Sequence, residues 1–280
     1  MRISVTMMHD KAPISVVIPH YESPMSLGYT IESILRQTVL PAEVIIVDDA
    51  SSCGARRAAE LLASSIGTVE CRFKALGVNS GPGAARNAGW EMARQPILAF
   101  VDADDSWFPQ KIEMQSALLL GREGLEAVGH PMLVGSRIGG LAERSIDGRD
   151  VGFKGLLQNQ WLWRNRFATS SVMLRREIPF RFGTDSRHSE DFDLWLRMAF
   201  AGKRMAIMDT ALGMHHKAKF GDSGLSSDLW GMERGELKAF HSLCRAGLIS
   251  NATLAGAASF SLTKYLVRLL RVNGRRILST

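Results

Sequence analysis

Three acids, Asp102, Asp104 and Asp105, stand within four positions directly behind the apolar run Ile97-Leu-Ala-Phe-Val101. A run of this length suits a buried parallel strand. Carboxylates at the C-terminal end of such a strand lie on the sheet edge where α/β proteins bind ligands. Acids so close together repel one another unless a positive charge lies between them. A hard divalent cation bridging to phosphate oxygens supplies that charge, because Mg²⁺ takes only one or two protein carboxylates. The plainer alternative is a solvated acidic turn capping the helix that Pro109 begins.

Two further acid pairs repeat the pattern. Asp48 and Asp49 follow Val44-Ile-Ile-Val47 and read either as nucleotide contacts or as an Asx turn before a helix. Glu190 and Asp191 precede Phe192, Trp195, Leu196 and Ala199, which share a helical face, so the acids sit at the helix's positive end. There they are either catalytic or ordinary stabilising residues. Between these pairs runs Asn79-Ser-Gly-Pro-Gly-Ala-Ala-Arg-Asn-Ala-Gly89. Its G-x-G start resembles a dinucleotide fingerprint, but Arg86 replaces the third small residue and the segment does not follow the first strand. Small residues let a helix N-terminus pack closely and aim Arg86 at the sheet edge. His215 and His216 are adjacent and point in different directions on any regular element. They form no paired site, though one of them can reach phosphate or metal.

The elements that must carry these groups read as α/β. Ile14–Pro19 is a strand stopped by proline, and Leu27, Ile31, Ile34 and Leu35 mark a helix. With the strand at 44–47 they make a βαβ unit whose acids face one edge. Residues 70–76 read as a third strand and 109–120 as a helix. Gly121 to Gly155 reads as glycine-rich and irregular, with a boundary near Gly121. Phe167 to Leu174 and the stretch from Met205 to Asp209 read as strands, and Ser223–Ser226 as a polar loop able to close on a ligand. The division is 1–120 as a nucleotide-binding half, 121–228 as an acceptor half of the same domain, and 229–280 as a helical extension. In that extension Leu262, Tyr265, Leu266, Leu269 and Leu270 form an apolar stripe opposite Lys264, Arg268, Arg271 and Arg275. Such a helix either makes peripheral contact with an anionic membrane or docks its leucines on the core.

At 280 residues, with 46% hydrophobic and 22% charged residues, the chain has the composition of an ordinary globular protein. A formal charge of +6 suits a phosphate-rich or anionic-membrane partner. No long basic run or zinc spacing supports nucleic acid. Cys53, Cys71 and Cys244 are odd in number and widely spaced, which favours a reducing compartment. With no signal-peptide core and no span of roughly 18 apolar residues, the expected location is cytoplasmic, at most peripheral on the inner face of the cell membrane.

In order, I-S-V-V-I-P-H-Y, V-I-I-V-D-D-A-S-S, N-S-G-P-G-A-A-R-N-A-G, F-V-D-A-D-D-S-W-F-P-Q-K and S-E-D-F-D-L-W-L-R resemble the motifs of family 2 glycosyltransferases with the GT-A fold. The resemblance covers roughly residues 14–199. It implies a Rossmann-like, mostly parallel sheet flanked by helices, a nucleotide-diphosphate-sugar donor, a divalent cation (Mg²⁺ or Mn²⁺) and inversion at the anomeric carbon. It places Pro19, Tyr21 and Glu22 beside the base and ribose, Asp48 or Asp49 on the base, Arg86 beside base or phosphates, and Asp102 near the ribose. Asp104 becomes the main metal ligand, with His216 beside it, and Asp191 of the Glu190–Asp191 pair the general base. Two positions depart from the pattern. Ser189 stands where many relatives carry glycine, and Met214-His215-His216 replaces an Arg-x-His-like segment. Surface-polysaccharide or glycolipid synthesis on a saccharide or lipid-linked saccharide acceptor is the family task this implies.

The chemistry is coherent on its own terms. Cleaving a sugar–phosphate bond requires the leaving diphosphate to be neutralised, which a cation and Arg86 can do. The acceptor oxygen must be activated from the opposite face, which one carboxylate can do. Two rivals are weaker. A sugar-phosphate nucleotidyltransferase wants a glycine-rich loop after the first strand, where this chain has Pro-His-Tyr. A degenerate transferase serving as a nucleotide-sugar-binding scaffold has no need of both Asp104 and Asp191.

Overall fold

The computed structural model describes residues 11–135, 151–216 and 227–278. The first half alternates strand and helix: β1 (Lys11–His20), α1 (Pro24–Leu35), β2 (Leu40–Asp48), α2 (Cys53–Ser65), β3 (Glu70–Ala75), α3 (Pro82–Met92) and β4 (Ile97–Phe100). Then come β5 (Asp105–Trp107), α4 (Lys111–Leu120), β6 (Leu125–Gly129), β7 (Met132–Val134), β8 (Phe153–Gly155) and β9 (Met173–Arg175). The chain continues through α5 (Glu190–Phe200), β10 (Arg204–Met208), β11 (Gly213–His215), α6 (Leu229–Arg245) and α7 (Asn251–Leu278).

One eight-stranded sheet runs in the order β3-β2-β1-β4-β9-β6-β10-β8. The block from β3 to β4 is parallel, as is the β10–β6 pair, while β9 is antiparallel to both neighbours. Alternation along β1 divides the core between the faces. Ala12, Ile14, Val16 and Ile18 pack with Leu27 and Ile31 of α1, and Val17 packs on the other face with Trp90, Phe100 and Trp195. Full burial of such side chains is worth roughly 1.5–3 kcal/mol each. Because β1, β2 and β4 run parallel between helices, their C-terminal ends meet at one edge.

The strand at β1 continues one residue past Pro19. Val17 accepts from Val101 on the β4 side and His20 from Asp49 on the β2 side. Pro19, two residues from Val17, therefore turns its nitrogen toward β4, whose pairing has already ended at Phe100, and no ladder bond is lost.

Three expectations need correction. The 121–155 stretch is not irregular throughout. It supplies β6 to the large sheet, β8 to its edge, and β7 to a small sheet ordered β5-β11-β7; residues 136–150 lie outside the described residues. The predicted 167–174 strand shrinks to β9, because Thr169–Ser171 form a 3₁₀ turn. In that turn Ser171 Oγ bonds the Ala168 carbonyl and the Val172 N–H bonds that of Thr169, so local hydroxyl bonding displaces the ladder. The third correction concerns α7. Leu262, Leu266 and Leu270 face outward, 40%, 58% and 73% exposed. Lys264 and Arg268 turn inward to the Glu236 carboxylate of α6, each at 3.0 Å, joined by Ser261 at 2.8 Å. A partly buried carboxylate demands cations, and the helix rotates to deliver them. The Arg271 and Arg275 side chains and the 223–226 loop lie outside the described residues. Among the described residues no helix is long and apolar enough to cross a membrane.

Candidate active site

The β1, β2 and β4 edge is held by its own acids. Asp48 is fully buried and receives His20 Nδ1 at 2.9 Å, the Ser51 N–H at 3.1 Å and Arg56 Nε at 3.2 Å. Ser23 N–H donates to His20 Nε2, so the imidazole proton sits on Nδ1 toward Asp48. Burial opposes the Asp48 charge, but Ser51 and His20 outweigh it and hold the carboxyl below its ordinary range. Asp49 accepts from the Ser80 and Gly81 N–H groups at 2.8 and 2.7 Å, pinning the approach to α3. Glu22 has a positive φ of 50° and accepts from the backbone and hydroxyl of Ser52, leaving Tyr21 exposed beside Pro19.

Helix α3 lies very close to the sheet. A Cβ on Gly89 would stand 2.4 Å from Val17 Cγ1, and one on Gly83 would stand 2.6 Å from the Gly183 carbonyl. This approach places Arg86, one turn into the helix, between the two halves of the site. It donates to Asp102 at 2.6 Å and to Glu190 at 2.7 Å, with its guanidinium 5.3 Å from the centre of the Phe182 ring. Burial opposes the Arg86 charge, yet the two carboxylates overcome it and raise its pKa.

Asp105 is a framework residue. It is buried and bonded to Ser170 Oγ and to His215 Nδ1 at 2.9 Å, and burial raises its carboxyl with His215 opposing. Asp102 and Asp104 are only partly covered. Strand β11 pairs with β5 through His215↔Asp105, so His216 comes opposite Asp104 one step further along, with its Nε2 2.7 Å from Ser106 Oγ. Among the described residues no three His, Cys, Asp or Glu side chains gather as a complete metal cage. A hard cation that keeps several waters needs only one or two protein carboxylates, a place that the partly covered Asp104 suits.

On the opposite side, Ser189 opens α5 in the left-handed conformation, φ 58°, which explains why glycine suits this position. Its hydroxyl donates to the Met232 carbonyl at 3.0 Å. Glu190 points back to Arg86. Asp191 instead accepts from three neutral donors: Asn165 Nδ2 at 3.3 Å, Thr169 Oγ1 at 3.2 Å and the Phe192 N–H at 2.7 Å. Burial pushes the Glu190 carboxyl up to about 7, with Arg86 opposing and Asp191 adding to the rise. Burial also raises Asp191, opposed by Arg86 and those three donors. Arg86 thus joins Asp102 at the end of β4 to Glu190 at the start of α5, while Asp48 and Asp49 are held within the β1–β2 edge. Asn165 and Phe182 were not singled out, nor was the bonding of Ser170 and His215 to Asp105. Thr169 was visible only as part of an expected strand, and Asn165 carries no motif.

The description "Glycosyl transferase family 2" matches residues 15–184. The chain is 27% identical over 184 residues to UDP-Glc:alpha-D-GlcNAc-diphosphoundecaprenol beta-1,3-glucosyltransferase WfgD of Escherichia coli, covering 65% of this chain and 68% of that one. It is 28% identical to the amylovoran biosynthesis glycosyltransferase AmsB of Erwinia amylovora, covering 72% and 69%. The mannosyltransferase PcManGT from Pyrobaculum calidifontis, in complex with GDP-Man and Mn²⁺, superposes with a TM-score of 0.65 at 17% identity, covering 94% of this chain and 76% of that one. The α/β architecture with its large sheet is therefore the GT-A fold, and the chain belongs to glycosyl transferase family 2.

Proposed function

We propose that the protein transfers a sugar, with inversion, from a nucleotide-diphosphate sugar to a hydroxyl of a lipid-linked saccharide during surface-polysaccharide or glycolipid synthesis. The observation that carries this reading is the division of labour around Arg86. The arginine ties Asp102 on the donor wall to Glu190 on the facing wall, and Asp191 is left to neutral donors, able to take up a proton. The relatives named for UDP-Glc with a diphosphoundecaprenol acceptor and for amylovoran biosynthesis support the substrate classes.

In this mechanism Pro19, Tyr21, Glu22, Asp48 and Asp49 shape the base and ribose pocket of the donor half, 1–120, and Asp102 meets the ribose. Asp104 and His216 would hold a divalent cation, which when bound neutralises charge on the leaving diphosphate. Arg86, bridging Asp102 and Glu190, fixes the donor wall against the acceptor wall. Asp191, in the acceptor half 121–228, removes the acceptor hydroxyl proton. The acceptor oxygen then bonds to the anomeric carbon from the face opposite the diphosphate, whose bond to that carbon breaks with its electron pair leaving on the phosphate oxygen. The outward leucines of α7, in the 229–280 extension, would rest on the cytoplasmic face of the membrane. The test is a panel of nucleotide sugars with Mn²⁺. One donor should raise the melting temperature and, with acceptor, give a product of inverted configuration. Retention of configuration overturns the mechanism.

A further inference from the structure

The 3₁₀ turn Thr169–Ser171 touches both groups of acids, and each of its hydroxyls is committed to a different partner. Thr169 Oγ1 donates to Asp191 Oδ2 at 3.2 Å. Ser170, only 1% exposed, uses its hydroxyl twice: Oγ accepts from the Asp102 N–H at 3.0 Å and donates to Asp105 Oδ2. Ser171 turns its hydroxyl back to the Ala168 carbonyl at 2.7 Å. The backbone of the turn is held as well. Trp107 Nε1 donates to the Ser170 carbonyl at 2.8 Å, and Gln115 Nε2 donates to the Ser171 carbonyl at 2.9 Å and to that of Val128 at 3.0 Å. A serine hydroxyl has a single proton, and that of Ser170 is spent on a buried carboxylate, so its rotor is fixed.

Asp102 and Asp105 are the two ends of a turn of their own. The Asp105 N–H donates to the Asp102 carbonyl at 3.0 Å, closing a four-residue turn with Ala103 and Asp104 at its centre. Thr30 Oγ1 donates to the Asp105 carbonyl at 2.8 Å. Ser170 grips both ends of this turn, one through a backbone N–H and the other through a carboxylate. Ala103 is buried, and Asp104 is the partly covered residue of the central pair. The placement of Asp104 therefore follows that of Ser170. One peptide earlier, about 3.8 Å along the chain, Thr169 meets the Asp191 carboxylate.

We propose that Ser170 is a positioning residue for the transfer reaction. Its hydroxyl sets the turn that carries Asp104, the residue that would hold the cation, and its peptide link to Thr169 keeps that turn in register with Asp191. The assignment rests on the readings of Asp104 as cation ligand and Asp191 as base. It adds the residue that ties the two together.

The test is calorimetric titration of the full chain with UDP and with GDP, each with and without Mn²⁺, beside initial rates with the nucleotide sugar that the panel selects. Ser170→Ala should bind nucleotide alone as the wild type does. The gain in affinity conferred by Mn²⁺ should fall roughly tenfold, the loss of one charge-assisted bond. Turnover at saturating donor and Mn²⁺ should fall about ten- to a hundredfold, as a displacement of up to about 1 Å implies. Ser170→Thr keeps the hydroxyl and should restore both. Ser171→Ala is the control for a merely structural role. It lies in the same turn, is equally buried and loses only the bond to Ala168, so it should keep the Mn²⁺ gain and the turnover. An undiminished Mn²⁺ gain in Ser170→Ala, an equal loss in Ser171→Ala, or a folded Ser170→Thr that behaves like the alanine variant overturns the proposal. A wild type whose nucleotide binding ignores Mn²⁺ would remove the cation reading and this proposal together. A wild-type response retained by Ser170→Ala removes the proposal alone.

Discussion

Asp191→Asn separates chemistry from architecture. The carboxamide keeps the shape of the side chain and can still accept from Asn165 and Thr169 through its oxygen. Its NH₂ then faces the Phe192 N–H, which in the wild type donates to the carboxylate at 2.7 Å. Losing one such bond costs about 0.5–1.5 kcal/mol. An opposing gain arises because burial raises the Asp191 carboxyl in the folded state. For an acid with a raised folded pKa, the penalty is absent below the unfolded value and grows as pH rises toward the folded one. Above that it is fully present. At pH 8 the neutral amide escapes this penalty, so the melting temperature should stay level or rise. Turnover should fall by about 10²–10⁴, equivalent to about 2.7–5.4 kcal/mol of barrier, with nucleotide binding unchanged. The assay pairs initial rates at saturating donor and Mn²⁺ with thermal melts across pH 5–9. Wild-type turnover should decline toward acid as Asp191 takes up its proton, above the ordinary carboxylate range, and the variant's residual rate should lack that limb. Near wild-type turnover, or a variant that keeps the acid limb, would refute the assignment. A large drop in melting temperature would show that the side chain is structural.

Asp104→Asn should abolish transfer and the response of nucleotide binding to Mn²⁺ without unfolding the chain; full wild-type turnover in excess chelator counts against the cation site. Arg86→Met should cost about 3–5 kcal/mol in urea melts at pH 8, because Glu190 is left buried and unpaired. Asp102 is partly exposed and screened, which places the loss nearer the lower figure. That loss should shrink toward pH 5, since Glu190, already raised to about 7, can then be buried as the neutral acid; a pH-independent loss would contradict this account. Gly89→Ala should cost about 1–3 kcal/mol by driving a Cβ into Val17 and should lower turnover by shifting Arg86; a silent substitution would mean that α3 has slack.

The family and the general shape of the site were legible because both rest on local order. A short apolar run ending in acids, repeated in βαβ succession, brings those acids to one sheet edge, as β2 and β4 do on either side of β1. The glycines of α3 and the apolar face of α5 were readable for the same reason. The role of each acid within a consecutive pair was not readable. Asp48 is consumed by His20, 28 residues away, Asp105 by His215, 110 away, and Glu190 by Arg86, 104 away. Neighbouring side chains point in different directions, and only the distant chain decides which of the two meets protein and which meets ligand. Asn165 shows the limit most plainly, an unremarkable residue between two arginines until folding sets it on Asp191.

Helix α7 marks the same boundary. Its period told which residues share a face, and the structure turned Lys264 and Arg268 of the basic face inward. Periodicity is a property of the segment, whereas orientation depends on what the segment meets. Here that is Glu236, a mostly covered carboxylate of α6 that draws Lys264 and Arg268 onto itself. The leucines left in water forgo up to about 1.5–3 kcal/mol each, a loss removed wherever that ridge rests against lipid. The amphipathic pattern was written in the sequence; its facing was decided by the desolvation of a charge that a distant helix carries.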